Sequence, residues 1–171
     1  MAHRTVKQES GLLELHLDFA FFGEDGEPGN TIPVLVARER TTRMTMASAV
    51  ASKSTGTFIV RRVVAFMRAV GCEHGDVLRN ADQESAITAL LTEVGRVRAA
   101  DGGRKFITES SPVGSSSSNG IVERAIRSVE QQTRMLKICL EERWSCKIPA
   151  RHPIMPWLIE YAFVLLNRFE V

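Results

Sequence analysis

A chain of 171 residues with 44% hydrophobic content has room for one compact core and not for two comfortable ones. Its net charge of +2 and pI near 8.6 are only mildly basic, so nucleic-acid binding has to rest on local placement of Arg and Lys. The three cysteines, Cys72, Cys139 and Cys146, form no Cys-x-x-Cys pair, which argues against a zinc site or a disulfide framework and for reduced structural thiols.

Residues Met1 to Ser10 are polar, with neither a secretory core nor a stop-transfer segment, so they read as an N-terminal linker and the protein is expected to stay inside the cell. From Leu13 to Asp18 the chain alternates: Leu13, Leu15 and Leu17 fall on one side of a strand, Glu14, His16 and Asp18 on the other. His16 shares the side of Asp18 and reads as a satisfied, partly buried histidine. The run Gly23 to Asn30 is a dense turn signal, Thr31 to Ala37 a second strand, and Arg43 to Val50 a third. Together these make an antiparallel meander.

Ser54 or Thr55 can cap a helix over about Gly56 to Val70 that Gly71 stops. A short buried strand, Asp76 to Asn80, leads to Asp82, and a helix follows from about Gln83 to Arg98 with Ile87, Leu90, Leu91, Val94 and Val97 inward. Asp82 at that junction suits a helix N-cap, a role that needs no metal. Asp101-Gly102-Gly103 is a turn, Arg104 to Thr108 a fifth strand, and Glu109 to Asn119 a loop with four successive serines. The last helix, around Trp157 to Leu166, is interrupted by Pro156 and Glu160 and is too short to cross a bilayer; it reads as a core or oligomer-interface helix.

Between the serine loop and this last helix lies a long amphipathic one. Val122, Ile126, Val129, Thr133, Leu136 and Leu140 step by three and four, which is one buried stripe. A second stripe, Glu123, Arg127, Glu130, Arg134, Lys137 and Glu141, lies about 100° round the helix at its exposed edge. A carboxylate thus opens a mostly basic ridge. Taken alone, Glu123 and Arg127 read as a surface i,i+4 ion pair.

The segment Ser118-Asn119-Gly120-Ile121-Val122-Glu123-Arg124 resembles the motif that carries the third acidic residue in integrases of retroviruses and long-terminal-repeat retrotransposons. The order of three strands, helix, strand, helix, strand and two helices is similar to the ribonuclease H-like α/β core of that family, a mixed five-stranded sheet flanked by helices, over residues 11–171. The resemblance implies an acidic triad of Asp18, Asp82 and Glu123, holding two Mg²⁺ or Mn²⁺ ions, with Asp18 bridging both. Two such ions activate the attacking hydroxyl and stabilise the leaving oxygen of a phosphodiester, so no side chain serves as covalent nucleophile. It further implies DNA as partner, contacted by Asn119, Arg124, Arg127, Arg134 and Lys137, a homodimer or higher oligomer, and the nucleus as the place of action. Phosphate contacts of this kind give affinity and salt dependence, not base specificity.

In the family pattern a small residue or Asn follows the second aspartate, and then a glycine; here Gln83 and Glu84 occupy those positions. With no His-His-Cys-Cys module before Asp18 and no barrel after Phe169, the chain is expected to be a catalytic core from a longer polyprotein, or a domesticated copy of one. Two alternatives stay open: another ribonuclease H-like nuclease, and a non-catalytic DNA-binding or oligomerisation relic.

Overall fold

The computed structural model describes residues 13–23, 30–53, 56–72, 75–81, 84–103, 106–108 and 120–169. In chain order they form β1 (Leu13–Gly23), β2 (Thr31–Glu39), β3 (Thr45–Ala49), α1 (Thr57–Ala69), β4 (Val77–Ala81), α2 (Ser85–Ala100), β5 (Phe106–Thr108), α3 (Gly120–Trp144) and α4 (Met155–Phe169). The five strands make one sheet in the order β3-β2-β1-β4-β5. The first three are antiparallel neighbours, whereas β4 runs parallel to β1 and β5 parallel to β4. The helix before β4 and the helix before β5 supply the crossovers that parallel pairing requires.

Period-two alternation decides what each face receives. Leu15, Leu17 and Phe19 of β1 pack with Leu35 of β2 against Ile59, Val63 and Met67 of α1 and Ile87, Leu90 and Val94 of α2. On the other face Phe22, Val34, Val36 and Ala47 pack against Val122, Ala125 and Val129 of α3 and Ile159 and Ala162 of α4. Each such side chain contributes about 1.5–3 kcal/mol when fully buried. The central strand is therefore covered on both sides, and its Asp18 row turns apolar at Ala20 and Phe22. Glu14 and His16 on that row are buried as well.

Several boundaries differ from the expectation for local reasons. The N-cap of α1 is Gly56, with no side-chain cap bond, while Ser54 and Thr55 lie outside the described residues. Gly71 does end that helix, at φ +81°: its N–H reaches the Arg68 carbonyl at 3.1 Å, and the Cys72 N–H reaches that of Met67 at 2.7 Å. This is the paired Schellman closure that favours glycine. The N-cap of α2 is Glu84, so the capping role considered for Asp82 falls two residues later. Pro156 does not interrupt α4, because it sits in the first turn, where its missing N–H costs no helical bond. Glu160 faces α1 instead and pairs with Arg62 at 3.1 Å. None of the described helices is long and apolar enough to cross a membrane.

Candidate active site

Asp18 lies on the central strand directly opposite Val36 of β2. Side chains paired in this way share a face, and Val36 belongs to the cluster that includes Val122 from the first turn of α3. Asp18 and the start of α3 therefore stand over the same face of the sheet. The β1–β4 ladder ends at Leu17 opposite Ala81, one residue before Asp18 on one strand and one before Asp82 in the sequence. Asp82 itself, like Asn119 and the four serines, lies outside the described residues. The Asp18 carboxylate is half-buried, and its Oδ1 accepts the Phe19 N–H at 2.8 Å.

Glu123 is exposed in the first turn of α3, where the positive end of the helix dipole favours a carboxylate. The expected Glu123–Arg127 ion pair does not form. Among the described residues the pairs along this helix are Glu130–Arg134 at 4.0 Å and Lys137–Glu141 at 3.7 Å. Arg124 folds back instead, its Nε donating to the Gly120 carbonyl at 3.0 Å.

The charged stripe is not exposed along its whole length. The Lys137 side chain is only 12% accessible, because α3 descends toward the loop before α4. There Glu141 Oε1 accepts the Ile148 N–H at 2.8 Å, which together with Lys147 and Lys137 holds its carboxyl below the usual range. Arg134 and Lys137 line a cavity of about 250 Å³ with Phe22, Thr133, Ile138 and Met155. Arg124 and Arg127 are thus the two exposed cations beside Glu123, while Arg134 and Lys137 lie further along near the cavity. The buried stripe also differs from expectation, since Ala125 is fully covered and Leu136 and Leu140 only in part.

Behind Asp18 the same row carries a polar cluster. His16 Nε2 lies 3.0 Å from Glu14 Oε1, and Arg40 Nη1 donates to Glu14 Oε2 at 2.6 Å. The pairing of His16 follows from the alternation, whereas Arg40 arrives from the end of β2, beyond any local pattern. Cys72 is a buried thiol, but Cys139 and Cys146 are exposed, so a structural role holds only for the first.

Among the described residues no three His, Cys, Asp or Glu side chains converge as a metal-binding set. The donors that do share the face, Asp18 and Glu123, are carboxylates. Hard oxygen donors suit Mg²⁺ or Mn²⁺ rather than zinc, so the residue chemistry fits the expected ions.

Strand order β3-β2-β1-β4-β5 with helices on both faces defines a ribonuclease H-like fold. More particularly, it is the fold of retroviral integrase catalytic cores. The catalytic core domain of BIV integrase is similar at TM-score 0.54 and 14% identity, over 91% of this chain and 84% of that one. The HTLV-2 integrase catalytic core domain in complex with magnesium, in its trimeric form, gives 0.59 and 12%, over 91% and 85%. A simian T-cell lymphotropic virus intasome chain gives 0.65 and 12%, over 92% of this chain and 49% of that one. No protein-family model and no curated protein matches the sequence.

Proposed function

We propose that this chain is an integrase catalytic core of the retroviral or retrotransposon kind, a divalent-metal-dependent polynucleotidyl transferase that cuts and joins DNA. The observation that carries the reading is the Asp18 carboxylate on the sheet face over which α3 opens, with Glu123 exposed and without an ion pair in the first turn of that helix. Asp82 follows the strand that ends beside Leu17 and completes the set of carboxylates. Asp18, Asp82 and Glu123 would hold the ions, which when bound activate the attacking oxygen and neutralise charge on the leaving one. The half-buried Asp18, fixed through the Phe19 N–H, holds its donor oxygens in place on a rigid strand. Arg124 and Arg127 are the cations best placed to meet DNA phosphates, with Asn119 preceding them and Arg134 and Lys137 extending the contact along α3.

The magnesium-bound HTLV-2 neighbour and the intasome neighbour support the choice of ion and partner. In this reading the protein acts on DNA in the nucleus, as an oligomer. The test is DNA cutting and joining with Mg²⁺ or Mn²⁺ by the wild type and by Asp18→Asn, Asp82→Asn and Glu123→Gln. Each substitution is expected to lower the rate by at least about a hundredfold while leaving the circular dichroism spectrum unchanged. Activity retained in all three overturns the proposal. Hydrolysis of RNA–DNA hybrids without DNA joining would point to a nuclease. Salt-sensitive DNA binding indifferent to Mg²⁺ and to all three substitutions would point to a non-catalytic module.

A further inference from the structure

Lys53, in the turn between β3 and α1, reaches two separate parts of the sheet's edge. Its Nζ lies 2.7 Å from Glu84 Oε1, at the N-cap of α2. The same ammonium sits 5.1 Å from the centre of the Phe21 ring and 5.8 Å from that of Phe19. Phe19 and Phe21 alternate with Asp18 on β1, so Lys53 meets the strand from the side opposite that carboxylate. It is therefore neither a ligand nor a phosphate contact at the proposed site.

Its reach matters because of where the two anchored points fall. Phe19 is the residue after Asp18, and its N–H binds the Asp18 carboxylate. Glu84 is two residues after Asp82, and the residue before Asp82, Ala81, is in register with Leu17 of β1. We propose that Lys53 is a positioning residue, tying the entry to α2 to the Asp18 segment of β1 and so setting the spacing between the strand ends that precede and follow the two aspartates. The inference rests on the carboxylate-site reading given above. It also accounts for Glu84 standing where the resemblance leads one to expect glycine. A glycine there would leave Lys53 without its anion, and Glu84 without Lys53 would put an uncompensated negative charge near the carboxylates.

An ion pair whose two side chains are 29% and 36% exposed adds little to global stability, so the effect should be read in metal binding rather than in folding. The test is calorimetric titration of the whole chain with Mn²⁺, alongside melting without metal, for wild type, Lys53→Met, Lys53→Arg, Glu84→Gln and Asp18→Asn. Lys53→Met and Glu84→Gln are expected to weaken Mn²⁺ binding about tenfold with the metal-free melting temperature unchanged, the usual size of an outer-shell loss. Lys53→Arg, which keeps both the ion pair and the cation over the rings, is expected to bind as the wild type does. If Lys53→Met binds Mn²⁺ like the wild type while Asp18→Asn does not, the positioning role is wrong and the carboxylate site stands. If Lys53→Met lowers the metal-free melting temperature in step with affinity, Lys53 is structural and the inference fails. If the wild type takes up no Mn²⁺, the site and this inference fall together.

Discussion

Glu39 shows how one side chain can combine burial with charge. It is fully buried at the end of β2, yet Thr41 N–H donates to its Oε1 at 3.0 Å, and Thr42 N–H and hydroxyl donate to Oε2 at 2.6 and 2.7 Å. Burial alone would raise its pKa, but the bonds from Thr42 and Thr41 outweigh it and hold the carboxyl below the ordinary 4.5. A depressed folded pKa means that the stabilisation is complete above the unfolded value and is lost as pH falls through the folded one. Glu39→Gln is therefore expected to cost about 1–3 kcal/mol in urea unfolding at pH 7, and clearly less at pH 3. An equal cost at both pH values would show that the charge is not what matters. Cys72, nearby in the same core, is the opposite case: burial first, then the negative charge of Glu39, push its thiol up to about 11, so it stays protonated and inert at neutral pH. No local pattern marks either residue. Asp18, by contrast, was legible because alternation fixes the face of a strand residue, and Glu123 because it follows a glycine-led helix start.

On α2 the inward stripe Ile87, Leu90, Leu91 and Val94 could be read from helical spacing, but the next buried position is an arginine. Arg98 is 2% exposed, and its Nη2 donates to the carbonyls of Cys72 and Gly75, both at 2.8 Å. It closes the turn that leads from α1 into β4, and with it the approach to the proposed site. Burial lowers its pKa from the usual value without removing its charge at neutral pH. Arg98→Met is expected to cost about 2–4 kcal/mol, since it strands two buried carbonyls. Arg96, two residues earlier and exposed beside Glu93, should tolerate the same change with no shift in the urea midpoint. Equal effects at the two positions would count against this account of the element. Sequence spacing reports amphipathicity, not which long polar side chain finds carbonyls to satisfy; that depends on a turn 23 to 26 residues away. The helix start at Glu84 was missed for a related reason, because the capping preference of Asp is strong and Glu84 makes no side-chain cap bond.

For the molecule as a whole, α4 carries two faces. Met155, Leu158, Ile159 and Ala162 are buried, while Trp157, Tyr161 and Val164, spaced four and three apart, form an exposed apolar stripe with Trp157 74% accessible. Such a patch suits a second copy of the chain. Sedimentation at tens of micromolar is expected to give a dimer that Trp157→Glu dissociates; a monomeric wild type would contradict this. The fold was legible because each strand and helix repeats its own period, whereas the layer that receives Asp18 became apparent only when α3 and α4 covered the second face. The central claim, that carboxylates on that face form a divalent-metal site, is tested most directly by melting the chain against Mn²⁺ concentration with Asp18→Asn and Glu123→Gln beside it. A ligand that binds only the folded state stabilises it by about 2.7 kcal/mol at a hundred times its Kd. The account predicts a rise in melting temperature for the wild type that both substitutions abolish; a wild type indifferent to Mn²⁺, or variants that respond equally, would contradict it.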